Sequence, residues 1–69
     1  MSKFSDRLLL LRVMRKLSQK EVAREIGVAV RAYQHYEYGE REPQLSTLVR
    51  IADFYDVSRD YLAGRSDEM

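Results

Sequence analysis

The residues LSQKEVAREIG at positions 17–27 carry the clearest local structural signals in the chain. Ser18 and Glu21 form a capping box, in which the Ser18 hydroxyl and the Glu21 carboxylate each accept a hydrogen bond from the other residue's backbone N–H. A helix is therefore predicted to begin near Gln19. Its apolar face consists of Val22, Ala23 and Ile26. Gly27 is predicted to adopt the left-handed conformation that ends a helix.

The segment after Gly27 predicts a second helix, which runs from Ala29 or Val30 to Tyr38 and is ended by Gly39. Ala29 at its N-cap has no side-chain oxygen, so the start of this helix is predicted to be poorly capped. Inward-pointing side chains are Val28, Tyr33 and Tyr36, and outward-pointing ones are Val30, Arg31, Gln34, His35 and Tyr38. Two helices joined by such a tight turn form a helix-turn-helix, whose second helix can enter the major groove of DNA.

Three further helices are predicted outside this pair. Their bounds are 5–16 for helix 1, 45–55 for helix 4 and 59–63 for helix 5. Ser5 and Ser58 are the predicted N-caps of the first and the last, and Gly64 is predicted to end the last. Pro43 predicts a loop before helix 4. The apolar stripe of helix 4 is predicted as Leu45, Leu48, Ile51, Ala52 and Tyr55.

The composition indicates one small domain and excludes several classes of protein. A chain of 69 residues holds a single small core. Because five short helices and no strand are predicted, we expect an all-α, compact five-helix bundle over residues 1–69. The core is expected at about 4–64, and the tail 65–69 is predicted to fray. There is no cysteine, which excludes disulfides and thiolate metal sites. No run of 18 apolar residues and no signal-peptide pattern is present, so a cytoplasmic protein without a membrane segment is expected.

The sequence contains no recognisable catalytic or cofactor-binding pattern. His35 is the single histidine and no carboxylate cluster accompanies it, so no metal site is expected. No nucleophile with an adjacent base and no phosphate-binding loop is visible. We therefore expect neither an enzyme nor a cofactor or small-molecule ligand.

Charge is distributed unevenly along the chain. Residues 1–35 contain eight basic and three acidic residues, a net charge of +5, whereas residues 36–69 contain four basic and eight acidic residues, a net charge of −4. Such a molecule can present a positive face to a polyanion. The alternative interpretation is an ordinary solvated helix surface.

Three motifs occur in order: LSQ at residues 17–19, YEYGE at 36–40 and VSRDYL at 57–62. They resemble the phage-repressor helix-turn-helix family (Cro/cI-like, XRE-type), and the resemblance extends from Phe4 to Gly64. It implies a lambda-repressor-like bundle of five helices. It also implies a transcription regulator, in particular a repressor, that binds a palindromic operator in double-stranded DNA as a homodimer and is associated with the nucleoid.

The resemblance assigns base reading to the outward side chains of helix 3, namely Val30, Arg31, Gln34 and His35. Arg31 suits guanine O6 and N7, Gln34 suits adenine N6 and N7, and Val30 suits a thymine methyl group. For His35, a DNA contact and an uninvolved surface position are both open.

The resemblance assigns phosphate contacts to Ser18, Gln19 and Arg41. Gln19 lies beside the positive end of the helix 2 dipole and is expected to set register rather than sequence preference. Glu40 and Glu42 flank Arg41 and are expected to repel the DNA backbone there.

The resemblance also pairs Arg12 with Glu37 in a partly buried ion pair that ties helix 1 to the end of helix 3. The alternative is two unrelated surface charges. A two-fold dimer contact is implied near helices 4 and 5, and its candidate residues are Phe54, Tyr55, Val57 and Tyr61. Completion of the core can also account for these four side chains.

Helix 1 has more apolar residues than one buried face requires. The additional residues are Leu9, Leu10 and Val13. We expect them to pack within the chain, although a partner surface is the alternative. The second functional hypothesis is an antitoxin or protein–protein interaction module with the same fold. An exposed Leu9 and Leu10 surface, or an occluded helix 3, would favour that hypothesis.

Overall fold

All regular secondary structure in the computed structural model, which describes residues 3–69, is α-helical. The five helices are α1 Lys3–Met14, α2 Gln19–Ile26, α3 Val30–Glu37, α4 Leu45–Tyr55 and α5 Arg59–Ala63. Helix α1 packs against α3 and α5, and α4 packs against α2 and α5. The predicted all-α bundle of five helices is confirmed.

The turn between α2 and α3 follows the local signals of the sequence. The Ser18 hydroxyl accepts a hydrogen bond from the Glu21 backbone N–H at 3.0 Å, and Glu21 Oε1 accepts one from the Ser18 backbone N–H at 3.0 Å. Gly27 has φ +77°, a left-handed conformation that strains any residue with a Cβ. The predicted capping box and glycine stop are therefore confirmed.

The predicted bounds of helix 1 are wrong at both ends. Within the described residues the helix extends over Lys3–Met14, and Ser5 is a buried residue inside it rather than its N-cap. Phe4, Leu8 and Leu11 form one buried stripe at helical spacing, so the contribution of Phe4 to the core extends the helix towards the N-terminus. At the other end Lys16 has φ +58°, which is incompatible with a continued helix.

The core lies where the five helices meet. Its buried apolar residues are Phe4, Leu8, Leu11, Val22, Ala23, Ile26, Tyr33, Ile51, Ala52, Tyr55, Tyr61 and Leu62. Two predicted dimer residues, Tyr55 and Tyr61, are among them. Their side chains complete the core of a single chain, so of the four dimer candidates only Phe54 and Val57 retain accessible surface for a partner.

Helix α4 has its predicted bounds, but its predicted apolar stripe is wrong at Leu45. That side chain is 67% exposed at the first helical position, where no preceding turn covers it, and Thr47 is buried instead. Helix α4 is followed by Asp56, which adopts the left-handed conformation although it is not glycine. Ser58 caps α5 as predicted, since its hydroxyl accepts a hydrogen bond from the Tyr61 backbone N–H at 2.9 Å.

The tail after α5 is tied to the bundle, which contradicts the prediction of a frayed end. Arg7 donates to the backbone carbonyls of Tyr61 and Ser66, and its Nη2 lies 2.8 Å from Asp67 Oδ1. The Ser58 backbone N–H donates to the Met69 carbonyl at 2.7 Å. Long-range contacts of this kind leave no signature in the local sequence.

The uncapped start of α3 generates a stability prediction. Ala29 has the extended backbone of an N-cap (φ −66°, ψ 147°) but provides no side-chain hydrogen bond. We expect Ala29→Ser to raise the free energy of unfolding by about 1 kcal/mol, because a serine hydroxyl can accept a backbone N–H of the first turn. Urea denaturation measures the change. Ser18→Ala is the control, because it removes an existing N-cap and should lower the free energy of unfolding. An unchanged or lower free energy of unfolding for Ala29→Ser would contradict the assignment of Ala29 as the uncapped N-cap of α3.

Candidate nucleic-acid interface

The outer side of α3 is open to solvent. Its exposed and half-buried residues, here called the α3 surface, are Val30, Arg31, Gln34, His35 and Tyr38. Together with Glu40 they line one shallow hollow. The structure therefore brings all four predicted base-reading residues onto one accessible surface.

A chain of hydrogen bonds connects this surface to the interior. Arg12 contacts Glu37 with two nitrogens, Nε to Oε2 at 2.9 Å and Nη2 to Oε1 at 2.8 Å. Gln19 Nε2 donates to the same Glu37 Oε1 at 3.2 Å. Gln34 Nε2 then donates to Gln19 Oε1 at 3.1 Å. Side chains from α1, α2 and α3 thus form one network that ends on the α3 surface.

The network fixes two side chains to which the sequence assigns separate roles. The Gln19 amide contacts both the ion pair and Gln34, so the predicted phosphate residue and the predicted base-reading residue are joined directly. Gln34 retains its Oε1 and its second N–H, and Gln19 retains one N–H. Sequence reasoning missed this contact, because the two residues are far apart along the chain and on different helices.

Glu37 is a buried carboxylate, with its side chain 3% exposed against 18% for Arg12. Burial alone would raise the pKa of Glu37, but the hydrogen bonds from Arg12 and Gln19 help to hold it below its usual 4.5. The hydrogen bond with Glu37 likewise raises the pKa of Arg12. The pair therefore stays charged at neutral pH. Its bidentate geometry orients α3 against α1.

Two tyrosines lie in the core beside this pair. Burial raises the pKa of Tyr55 to about 12 and raises the pKa of Tyr33 further still. Both hydroxyls consequently stay protonated, and no second negative charge competes with Glu37 inside the protein.

His35 contacts a residue that was predicted only as a source of repulsion. Its Nδ1 lies 2.9 Å from Glu40 Oε1. Because a carboxylate only accepts hydrogen bonds, Nδ1 carries the proton in this contact and Nε2 is left for other partners. Sequence reasoning missed the pair. The sequence did contain a signal for the pair, because the acidic residue Glu40 directly follows Gly39 at the end of the helix.

The predicted phosphate-binding residues lie at the edge of the α3 surface. Ser18 uses its hydroxyl oxygen and backbone N–H in the capping box, which leaves its hydroxyl proton as a donor. Gln19 begins α2, where the positive end of the helix dipole lies. Arg41 is exposed in the loop after α3.

The outer side of α1 is exposed to solvent, although its apolar residues were predicted to be packed within the chain. The exposed fractions of its residues are 37% for Leu9, 47% for Leu10, 57% for Val13 and 58% for Met14. These four residues are called the α1 outer face. The expectation that Leu9, Leu10 and Val13 pack within the chain is wrong, because the core contact of α1 is made by the opposite side of the helix.

A smaller partly apolar area lies between α4 and α5. Phe54 and Val57 are half-buried, and Val57 lines an open hollow with Val49 and Ala52. Phe54 also packs edge-on against Tyr55, with 4.9 Å between the ring centroids. This area contains the dimer candidates that remain accessible.

In residues 3–69 no helix has the length and apolar character needed to cross a lipid bilayer. Within the same residues, no group of three or more histidine, cysteine, aspartate or glutamate side chains could hold a metal ion.

A helix-turn-helix family model matches residues 8–62 of the chain. The chain is 44% identical over 66 residues to the HTH-type transcriptional regulator YqaE of Bacillus subtilis strain 168, covering 94% of this chain and 57% of that protein. It is 46% identical over 54 residues to the cryptic phage CTXphi transcriptional repressor RstR of Vibrio cholerae, covering 78% and 49%.

Among solved structures, the fold is similar to a transcriptional regulator from Listeria innocua, with a TM-score of 0.85 and 29% identity. That match covers 96% of this chain and 62% of the other. The chain spans about half the length of the curated relatives it matches.

The buried ion pair predicts a specific pH dependence of stability. The pKa of Glu37 is lower in the folded protein than its usual 4.5, so its contribution is complete above about pH 5 and is lost as the pH falls through the folded pKa. We expect the free energy of unfolding to fall more steeply between pH 5 and pH 3 in the wild type than in Glu37→Gln. Urea denaturation across this range measures both.

Glu25→Gln, an exposed change on α2, is the matched control and should retain the wild-type slope. At neutral pH we expect Glu37→Gln to cost about 3 kcal/mol, because it leaves the Arg12 charge without its partner. Parallel pH profiles for wild type and Glu37→Gln would contradict the role given to this carboxylate.

Proposed function

The chain belongs to the helix-turn-helix family, and from that premise we propose that it is a transcription regulator that binds double-stranded DNA sequence-specifically through α3 in the major groove. The observation that carries the proposal is the α3 surface, which is open and whose Gln34 side chain is held from within by the network that begins at Arg12.

Gln34 is prepared to read adenine. A bidentate contact with adenine needs one acceptor for the N6 amino group and one donor for N7. Gln34 keeps both after its hydrogen bond to Gln19, because that bond uses only one of its two N–H groups. Its conformation is fixed before DNA arrives, so less side-chain entropy is lost on binding.

Arg31 and Val30 lie in the first turn of α3, the part of a recognition helix that meets base edges. Both are exposed. Arg31 can donate two hydrogen bonds to guanine O6 and N7, a contact worth roughly 1 to 3 kcal/mol of discrimination, and Val30 can contact a thymine methyl. His35 offers Nε2, which accepts when the ring is neutral and donates when it is protonated.

The phosphate contacts supply affinity and register. The start of α2 carries the helix dipole, the remaining Gln19 N–H and the Ser18 hydroxyl proton, which together suit a phosphate oxygen. Arg41 adds a positive charge beyond α3. Glu40 lies close to it in the chain, and its Oε1 contacts His35 Nδ1 at 2.9 Å. Binding is therefore expected to be salt-sensitive.

On DNA the protein acts as a homodimer, in which two α3 helices occupy successive major grooves of a palindromic operator about 34 Å apart. Phe54 and Val57 are the accessible residues offered for that contact. The protein represses transcription by occupying its operator, needs no cofactor or metal, and works in the cytoplasm at the nucleoid. An enzymatic role has no support from the family.

A protein-interaction module is the second candidate function. The α1 outer face favours it, because contiguous exposed apolar side chains commonly mark a protein contact. The open α3 surface favours DNA binding, and the two activities are compatible since they use different helices.

Selection of bound sites from random duplex DNA tests the proposal. We expect the wild type to enrich a palindrome, and Arg31→Ala to lose the preference for guanine at one position of each half-site. Arg65→Ala, which removes an exposed arginine after α5, should retain the full preference. A wild type that enriches no sequence at low salt would refute sequence-specific binding and leave the protein-interaction module as the better candidate.

The contact between Gln19 and Gln34 generates a second DNA prediction. Gln19→Ala removes the acceptor that holds Gln34, so it should both weaken binding to all sequences and relax the preference at the position read by Gln34. The preference at the Arg31 position should persist. The same selection measures both positions. Uniform weakening with unchanged preferences would show that Gln19 acts on phosphate alone.

A further inference from the structure

We propose that the α1 outer face is a self-association surface, on which a second copy of this chain packs its own α1 in the antiparallel orientation. The proposal does not rest on DNA binding. It concerns Leu9, Leu10, Val13 and Met14, which are exposed on the side of α1 that faces away from the core.

Helix α1 is apolar on two sides, and only one of them is covered within the chain. The covered side presents Phe4, Leu8 and Leu11 to the core. The α1 outer face repeats with the same helical period and extends over less than two turns. Leaving such a stripe in water is unfavourable in proportion to its apolar area, so a contact that covers it is stabilised.

A two-fold axis makes this stripe complementary to itself. When two copies of α1 run antiparallel and the axis passes beside the middle of the stripe, Leu10 lies opposite Val13 of the second copy and Leu9 lies opposite Met14 of the second copy. Each contact then occurs twice, as an isologous interface requires.

The charges at the two ends of the stripe select the second copy and its orientation. Asp6 is exposed one turn before Leu9 and Leu10, and Lys16 is exposed two residues after Met14. In an antiparallel pair each Asp6 lies near Lys16 of the second copy, whereas a parallel pair would place like charges together. The antiparallel orientation also opposes the two helix dipoles favourably. Exposed ion pairs add little energy, so they set the orientation while the apolar contact supplies affinity.

The interface is small, so the association is expected to be weak and dependent on protein concentration. It uses no residue of the α3 surface and neither Phe54 nor Val57. A DNA-bound dimer would therefore keep the α1 outer face for contact with a neighbouring dimer.

Sedimentation equilibrium of the full chain without DNA, at low salt and over a wide concentration range, tests the proposal. We expect the wild type to associate, and Leu10→Glu to raise the dissociation constant at least tenfold. Leu45→Glu, a change of the same type at an exposed leucine of α4, is the matched control and should associate as the wild type does. Circular dichroism confirms that each variant is folded.

Charge reversal tests the orientation. Asp6→Lys and Lys16→Asp should each weaken association because each places like charges across the two-fold axis, and the double variant should restore it. Asp6 and Lys16 are both exposed. If a single substitution weakened association by disturbing the fold, adding the other substitution would not restore association.

Four results would overturn the proposal. A wild type that stays monomeric at every concentration would assign the α1 outer face to a different protein. Equal effects of Leu10→Glu and Leu45→Glu would show nonspecific association. Loss of association in Val57→Glu but not in Leu10→Glu would place the contact on α4 and α5. A double charge variant that associates no better than the single ones would refute the antiparallel pairing.

Discussion

The ion pair between Arg12 and Glu37 is the constraint on which the arrangement of the α3 surface depends. A carboxylate that is almost fully buried must be compensated, and Glu37 is compensated by two nitrogens of Arg12 and one of Gln19. These contacts fix α1, α2 and α3 relative to one another at the end of α3. Gln34 is then positioned through Gln19, so a charge inside the protein determines where a polar group on its surface lies.

The position of α3 is set by its side-chain contacts more than by its caps. Ala29 gives no side-chain hydrogen bond at its start, and the first turn carries no acidic residue that would favour the helix dipole. Tyr33 in the core and Glu37 at the end hold the helix instead. Isolated helices of this length are marginal in water, so the bundle itself keeps α3 in a conformation that fits a groove.

Local chemistry made much of the fold predictable from the sequence. Ser18, Glu21 and Gly27 each act on the backbone within one helical turn, and the bounds of α2 and α5 followed from signals of this kind. The bounds of α4 followed instead from its apolar spacing and from Pro43 before it. Ser5 and Leu45 were misplaced because burial depends on which helices meet, and periodicity alone does not say which apolar face is covered. The contact of Gln19 with Gln34 and that of His35 with Glu40 depend on side-chain directions in three dimensions.

Helix α1 carries the α1 outer face and also supports the α3 surface through Arg12, but the two surfaces share no residue. Its buried side holds the core, Arg12 on its flank holds Glu37, and its outer face is free of both. A partner on the outer face therefore needs no change in the ion pair, and the α3 surface needs no change in α1 to meet DNA. Both stripes of α1 are apolar, and the bundle covers only the one that contains Phe4, Leu8 and Leu11. The uncovered stripe is therefore the part of α1 that gains free energy from contact with a second molecule.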